Sequence, residues 1–348
     1  MLVCFPLLTG LAFNNKTEKK KCNILVITVF YLIFLFLLVC RDLNIGNDTY
    51  GYKAYYDAAR NMSWNKIFIL DAEWEHGYLI LQKILSGLSV NFRWFLLLVS
   101  SFAIFPIWDF YKKESEIPIL TIALFLAVSP FSMYFSGMRQ IIAMAFAIPA
   151  FNYSRNKRPI MFLLMVFLAF MFHRSAFILL PMYPMCNVNI TGRRIWFAVP
   201  FIGVVLIFNE QIFSFLVKFI SDMYVGEIEQ TGAYTVLMLL VVFVIFCYIV
   251  PVEESLDKDT KALRNLLLLS VCLQCFASVN PLAMRLNYYY LIFIPVLMPK
   301  IAINRKPALK HIIDTAVLGI SAFFVLYFYY NLIHGGSLNI YPYVFFWR

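Results

Sequence analysis

Five arginines stand at the ends of long uncharged segments, and their side chains suit the binding of phosphate. They are Arg41, Arg93, Arg139, Arg174 and Arg285. An arginine in or beside a membrane segment is costly and is commonly paired or functional. A guanidinium group also binds phosphate through two hydrogen bonds at once. One such residue is explained by contact with lipid headgroups, but five at one face of a helical bundle predict a site for a phosphate- or pyrophosphate-bearing ligand.

Residues 41–78 mix carboxylates with aromatic side chains, a combination that suits sugar binding. Carboxylates accept hydrogen bonds from hydroxyls, and aromatic rings cover the apolar faces of pyranoses. Asp48 and Glu75 in this segment, with His173 further along the chain, are candidates for activating or orienting a sugar hydroxyl. The alternative interpretation is a solvated loop with aromatic residues at the membrane interface.

The sequence predicts no metal and no cofactor. It contains no HExxH, GxSxG, P-loop or zinc pattern, and Gly46 and Gly51 do not lie in a strand–helix unit that binds nucleotides. Cys272 and Cys275 form a CxxC without a second pair, inside a leucine-rich segment, so a zinc or redox role is weakly supported. With seven cysteines in or beside apolar runs, we expect no disulfide.

Composition limits the classes of protein that the chain can belong to. Of its 348 residues 62% are hydrophobic and 14% are charged, and the mean hydropathy is +0.77. Soluble domains are about 45–50% apolar and about 25% charged. These values exclude a disordered, collagen-like or disulfide-scaffold chain and argue against a soluble enzyme. The net charge of +10 lies mostly in short loops between apolar runs, which indicates membrane topology rather than nucleic-acid binding.

Recurring uncharged runs predict an all-α, polytopic integral membrane protein with a single transmembrane domain over residues 1–348. A membrane helix needs about 20 residues, and shorter runs reach this length with snorkelling Lys, Arg or Tyr. The runs predict roughly 11–12 transmembrane helices. Residues 1–13 lack a basic region and a cleavage site, so we expect a short first helix rather than a signal peptide.

The distribution of Lys and Arg predicts the orientation. Four lysines between positions 16 and 21 place that loop in the cytoplasm, which makes residues 41–78 an extracytoplasmic loop. Residues 159–187 form either one long helix or a hairpin that turns at His173-Arg174. The hairpin keeps most of the later Lys and Arg in the cytoplasm, whereas one helix would place them outside. We therefore predict the hairpin, with both termini outside.

An ordered set of motifs resembles the EpsG family of extracytoplasmic polysaccharide polymerases, which is related to the Wzy polymerases of O-antigen and capsule. The set covers most of the chain from Arg41 to about residue 290, and Asn47 departs from the threonine that is usual there. The motifs are Arg41…Ile45-Gly46-Asn47-Asp48-Thr49…Tyr52, Glu75…Gly77-Tyr78, Ser129-Pro130…Met138-Arg139-Gln140…Ala143, Ala169…Phe172-His173-Arg174-Ser175-Ala176 and Arg285…Tyr288-Tyr289.

The resemblance implies a GT-C-like helical bundle with its site at the outer face of the bacterial cytoplasmic membrane. The implied enzyme is a glycosyltransferase that needs neither metal nor nucleotide. It would join repeat units of an undecaprenyl-pyrophosphate-linked oligosaccharide, beside a flippase and a chain-length regulator. In this interpretation Arg139 and Arg285 hold the pyrophosphate, and Arg41 and Arg174 support them. The further candidates for contact with sugar or phosphate are Gln140, Tyr52, Tyr78 and Tyr289.

Two alternatives share parts of this pattern. A polysaccharide ligase would use the same lipid pyrophosphate and differ in its acceptor, so the sequence separates it poorly from a polymerase. A flippase for lipid-linked oligosaccharides would be expected to show related halves and a charged cavity that opens to both sides. The sequence shows neither feature, and its unexplained charges cluster at one face.

Overall fold

The apolar runs form helices throughout the part of the chain that the structure describes. The structure is a computed structural model that describes residues 16–69, 74–88, 90–190, 192, 195–217, 234–279, 283–335 and 339–348. These residues contain helices and two isolated bridges, Arg41 with Phe345 and Pro251 with Arg305, but no strand. The predicted all-α, multi-pass class is therefore confirmed.

Most of the described helices follow one another with short connections. In chain order they are α1 (Lys16–Cys40), α2 (Thr49–Ala59), α3 (Trp64–Ile69), α4 (His76–Gly87), α5 (Phe92–Glu114), α6 (Pro118–Ala127), α7 (Met133–Ser136), α8 (Met138–Ala145), α9 (Ala147–Arg155), α10 (Pro159–Phe172), α11 (Met182–Asn187), α12 (Ile195–Ile207), α13 (Asn209–Val217), α14 (Tyr234–Ile249), α15 (Lys258–Gln274), α16 (Ala283–Leu291), α17 (Ile294–Ile303) and α18 (Lys310–His334). Short 3-10 helices cover Arg174–Leu179, Glu253–Ser255, Cys275–Ser278 and Pro307–Leu309.

Three helical segments of the described chain are long and apolar enough to cross a membrane, namely Glu18–Cys40, Phe92–Glu114 and Pro307–His334. The pair α16 and α17, bent by 45°, makes a fourth if it is counted as one span. Other uncharged runs form more than one helix. The run from residue 117 to residue 138 breaks after α6, near Pro130, because proline has no backbone N–H to donate to a helix. The figure of 11–12 crossings therefore stays a prediction, as does the GT-C-like comparison.

Residues 159–187 form the predicted hairpin. At its turn the backbone N–H of Arg174 donates to Glu75 Oε1 at 2.9 Å. At its other end Asn187 Nδ2 donates to the Ser154 carbonyl at 3.1 Å, so the chain has returned to the level at which α10 began. The interpretation as one long helix is thereby excluded. Arg193 and Arg194, which the hairpin was predicted to place in the cytoplasm, lie outside the described residues.

Charged side chains gather at two opposite ends of the bundle. The end that contains Glu75, Arg139 and the turn at Arg174 is called the Arg139 end. At the other, the Lys300 end, Lys300 Nζ lies 2.7 Å from Glu114 Oε2, and Arg155 pairs with Asp259. These ion pairs join α5, α9, α15 and α17, so the Lys300 end is tied together by charge.

Two glycines allow backbone segments to meet closely at the Arg139 end. Gly46 has φ +83°, and a Cβ on it would lie 1.8 Å from the Phe135 carbonyl oxygen. A Cβ on Gly77, in the first turn of α4, would lie 2.5 Å from the Met171 carbonyl oxygen. The absence of side chains therefore lets residues 41–48 pack on α7 and lets α4 pack on the end of α10.

The C-terminal residues cross the same end of the molecule. Phe346 N donates to the Cys40 carbonyl at 3.1 Å, and Asp42 N donates to the Val344 carbonyl at 2.9 Å. Arg93 stacks its guanidinium 4.2 Å from the centre of the Phe346 ring. The C-terminal residues thus lie at the Arg139 end, and their predicted place outside the membrane stays a prediction. The predicted first helix, residues 1–13, lies outside the described residues.

Candidate active site

Glu75 joins three segments that are far apart in sequence. It lies just before α4, and only 9% of it is exposed. Its Oε2 accepts a hydrogen bond from Arg139 Nη1 at 2.8 Å, and its Oε1 accepts from the backbone N–H of Arg174 at 2.9 Å. A single carboxylate therefore brings together three of the predicted motifs, one before α4, one on α8 and one after α10.

Arg139 is held from several directions. Besides the ion pair with Glu75, its guanidinium interacts electrostatically with Tyr52 on α2. Its Cζ also lies 5.4 Å from the centre of the Trp74 ring, within the range of a cation–π contact. The position of the guanidinium is thus fixed before any ligand arrives. Pre-organised charge of this kind is the arrangement that stabilises charge developing in a transition state.

Arg285 enters the site from α16 and is placed there by Gln140. Gln140 Nε2 donates to the backbone carbonyl of Arg285 at 2.7 Å, which ties α16 to α8 next to Arg139. Gln140 is buried, and its Oε1 has no hydrogen-bond partner among the described residues. Gln140 therefore helps to place Arg285 beside Arg139 through its hydrogen bond to the Arg285 backbone. Its side-chain oxygen Oε1 remains available to accept a hydrogen bond.

Arg285 and Arg174 supply positive charge that no carboxylate of the described residues neutralises. Within the described ranges, neither guanidinium forms an ion pair or a side-chain hydrogen bond, whereas Arg139 is balanced by Glu75. Arg174 is exposed and Arg285 is partly exposed. The site thus combines one fixed, paired arginine with two that remain available to an anion.

His173 caps the turn beside this cluster through its Nδ1. The imidazole Nδ1 accepts from the backbone N–H of Ser175 at 3.3 Å and lies 2.7 Å from Ser175 Oγ. Ser175 Oγ in turn lies 3.0 Å from the hydroxyl of Tyr289. Burial lowers the pKa of His173 to about 4; Glu75 opposes this, and Arg139 and Arg285 add to it. The ring is therefore neutral near pH 7, and with Nδ1 as the acceptor we infer that its proton is on Nε2.

Asp48 lies at the start of α2, and Tyr52 interacts electrostatically with both Asp48 and Arg139. Asp48 Oδ2 accepts from Ser136 Oγ at 3.0 Å. Its Oδ1 forms no hydrogen bond within the part of the chain that the structure describes. Of the two predicted catalytic carboxylates, Asp48 is the one with an oxygen that accepts no hydrogen bond from the described residues.

The predicted tyrosines lie beneath the site rather than on its surface. Tyr52, Tyr78 and Tyr289 are buried, and the Tyr78 hydroxyl accepts from Gln82 Nε2 at 3.0 Å. Burial leaves no open ring face for a sugar, so the geometry supports a positioning role for them. Trp74 is partly exposed against Arg139, and sequence reasoning gave it no role although it stands next to Glu75. Ser175 belongs to one of the motifs quoted for the resemblance, but the sequence analysis gave it no role.

Arg41 lies apart from the cluster, at the end of α1. It is 1% exposed, and its Nη1 donates to the Leu38 carbonyl at 2.9 Å. Arg93 donates to the backbone carbonyl of Arg41 and thereby joins α5 to the same corner. Contact of Arg41 with pyrophosphate stays a prediction. The observed contacts give Arg41 and Arg93 a role in anchoring α1, α5 and the C-terminal residues.

The fold and the site define an all-α, multi-pass membrane protein with a cationic polar site at one end of its bundle. The EpsG family model matches residues 24–345, and the chain belongs to the EpsG family. This membership places the protein in polysaccharide biosynthesis at a membrane. Neither the curated proteins nor the solved structures contain a match to the chain.

Proposed function

We propose that the protein polymerises lipid-linked oligosaccharide repeat units at the outer face of the bacterial cytoplasmic membrane. The observation that carries the proposal is a cationic group at one end of the bundle: Glu75 binds the Arg139 side chain and the backbone N–H of Arg174, and Arg139 and Arg285 both act electrostatically on the neighbouring His173. Its charge and its place suit a lipid-anchored pyrophosphate. The proposed donor is a growing glycan on undecaprenyl pyrophosphate, and the proposed acceptor is one repeat unit on the same carrier.

The proposed reaction is a glycosyl transfer that needs no cofactor. A hydroxyl of the acceptor sugar attacks the anomeric carbon of the donor, and the bond from that carbon to the pyrophosphate oxygen breaks. Undecaprenyl pyrophosphate leaves with the bonding electrons, and a new glycosidic bond lengthens the chain. Arg139 and Arg285 stabilise the negative charge that develops on the leaving group. Glu75 holds Arg139 in position for this task.

We propose different tasks for the three candidate catalytic residues, and the hydrogen bonds of each support its task. Both oxygens of Glu75 accept hydrogen bonds from the protein, so its task is to orient Arg139 and the turn. Neutral His173, with its proton on Nε2, donates a hydrogen bond to the pyrophosphate. Asp48, with Oδ1 available, receives the proton of the acceptor hydroxyl. Of the three candidates, this division takes Asp48 as the base and His173 as a hydrogen-bond donor.

The first test follows lipid-linked intermediates in cells from which the gene has been deleted. A missing polymerase leaves single lipid-linked repeat units on the outer leaflet and no long polymer. Long polymer that stays on its lipid carrier would identify a ligase instead. Repeat units trapped on the inner leaflet would identify a flippase. Either of these two results contradicts the proposal.

The second test uses repeat units extracted from the deletion strain and the purified protein in lipid nanodiscs. We expect a ladder of polymers with the native chain and loss of the ladder with Arg139→Ala. The matched control is Arg158→Ala, because Arg158 is exposed next to the first residue of α10, at the opposite end of the bundle. An unchanged ladder with Arg139→Ala would remove the cluster from the reaction.

A further inference from the structure

An apolar cavity of about 110 Å³ lies between α6, α14, α17 and α18, near the Lys300 end. Apolar side chains line it, among them Leu124, Phe246, Met298 and Ala316. A dry apolar cavity of about 150 Å³ is large enough to bind benzene. The cavity therefore has room for a short length of hydrocarbon chain.

The cavity opens sideways, at the seam between α14 and α18. Val242 on α14 and Ile320 on α18 both line it, and they are 56% and 41% exposed. In a protein that spans a membrane, side chains at such a seam face the lipid. Hydrocarbon can thus enter from the bilayer without crossing a polar surface.

Uncompensated positive charge lies about one helical turn beyond the cavity. Ala302 and Ile313 line the cavity, and Lys306 and Lys310 are exposed in the short connection between them. Arg305 in this connection is neutralised by Asp314, whose Oδ1 is 2.6 Å from Arg305 Nη2. Lys306 and Lys310 have no ion pair within the described residues. Apolar space beside two free lysines is complementary to a molecule with a hydrocarbon chain and an anionic head.

We propose that this is a binding site for an anionic phospholipid. One acyl chain fills the cavity between α14 and α18, and the phosphate group lies between Lys306 and Lys310. A phospholipid with no net charge fits the cavity equally well but gains less from the lysines. The site is separate from the Arg139 cluster and does not depend on the proposed reaction.

Native mass spectrometry of the full chain in detergent tests the preference for charge. We expect phosphatidylglycerol to remain bound more tightly than phosphatidylcholine with the same acyl chains. Changing Lys306→Gln and Lys310→Gln together should weaken phosphatidylglycerol binding about tenfold or more, since each lysine near a lipid surface contributes on the order of 1 kcal/mol. The matched control changes Lys157→Gln and Lys258→Gln, two exposed lysines at the same end but away from the cavity. Equal binding of both lipids, or an equal loss in the control, would overturn the proposal.

A photoreactive phosphatidylglycerol with a diazirine in its acyl chain tests the place of the site. We expect labelled peptides from the stretches 242–246 of α14 and 316–320 of α18. Ala316→Phe should fill the cavity and reduce this labelling, while the lysine variants test the same site without altering its packing. Labelling spread equally over α1 and α5 would show only nonspecific contact with the bilayer and would refute the proposal.

Discussion

Glu75 and Arg139 form a largely buried ion pair, and each residue restrains the other. Removing one partner of such a pair leaves a charge without compensation, which is more costly than losing a surface contact. We expect Glu75→Gln to reduce polymer formation about as much as Arg139→Ala, because the guanidinium is then no longer held. The double variant should lose little more than either single variant, since the two residues act as one unit. Losses that simply add in the double variant would mean that Glu75 acts independently of Arg139.

Arg285 tests whether the site needs a planar fork or only a positive charge. A hydrogen bond to a charged group contributes about 1.5–3 kcal/mol, so Arg285→Ala should slow polymer formation on the order of tenfold to a hundredfold. Arg285→Lys should stay impaired, because an ammonium group cannot form the same two parallel bonds. The measurement is the initial rate with purified protein. Full activity of Arg285→Lys would show that the site needs only a positive charge at this position and not the two hydrogen bonds of a guanidinium group.

The low pKa of His173 predicts the dependence of activity on pH. Because burial lowers this pKa to about 4, the ring stays neutral from pH 8 down to about 5, and its state should cause no change of rate there. Below that range protonation removes the acceptor at Nδ1, the turn loses its cap, and activity should fall. His173→Gln should lack the part of this fall that the imidazole causes, so its activity should depend less steeply on pH below about 5 than that of the native chain. A native rate that instead rises between pH 5 and 8, and a variant that lacks this rise, would restore His173 as a general base.

The residues of the site could be predicted from the sequence, but their partners could not. The order of motifs indicated that Glu75, Arg139, His173 and Arg285 belong to one site, and the structure brings them together. The sequence could not show that Glu75 accepts a hydrogen bond from Arg139, a residue 64 positions away. The pattern of apolar residues predicts where a helix ends, but it does not predict which neighbouring residue each side chain contacts. For the same reason, the burial of Tyr289 was not foreseen.

At the scale of elements, Gly46 decides how the segment after α1 meets α7. An alanine there would need a positive φ and would place its Cβ 1.8 Å from the Phe135 carbonyl oxygen. A left-handed conformation alone costs a residue with a side chain about 1–3 kcal/mol. Gly46→Ala should therefore lower the thermal unfolding temperature of the purified protein and reduce its activity.

Gly51→Ala is the matched control for this change. Gly51 lies on α2, a few residues from Gly46, and no atom lies within 4 Å of the position of an added Cβ. Alanine favours helix, so this variant should be as stable as the native chain or slightly more stable. Equal unfolding temperatures for the two variants would show that the close approach at Gly46 is not required.

The charge pattern predicted the course of the helices better than the apolar runs predicted their lengths. The hairpin at His173-Arg174 followed from the distribution of Lys and Arg, and hydrogen bonds at both of its ends confirm it. The run from residue 117 to residue 138 looked like one helix but divides after α6. An uncharged run shows that a segment is apolar, whereas breaks within it depend on local backbone geometry that hydropathy does not record.

At the scale of the whole molecule, the two ends of the bundle carry different kinds of charge. At the Lys300 end Arg155 and Lys300 form ion pairs with Asp259 and Glu114, and further lysines there form no ion pair with any described residue. The Arg139 end holds its arginines around a polar site. Since loops rich in lysine and arginine stay in the cytoplasm, the positive-inside rule predicts that the Lys300 end faces the cytoplasm. The proposed reaction depends on this orientation, because its substrates would be presented at the outer face.

Cysteine labelling in intact cells tests this orientation. Tyr50 is 68% exposed at the Arg139 end, so Tyr50→Cys should react with a membrane-impermeant thiol reagent. Asn189 adjoins Ile190, whose carbonyl accepts from Arg264 at 3.0 Å at the Lys300 end, so Asn189→Cys should react only after the cells are opened. Thr191→Cys should behave in the same way, and the unsubstituted chain gives the background from the native cysteines. The reverse pattern would place the Arg139 cluster in the cytoplasm. The contacts between Glu75 and Arg139 would then stand, but a polymerase that acts at the outer face would be excluded.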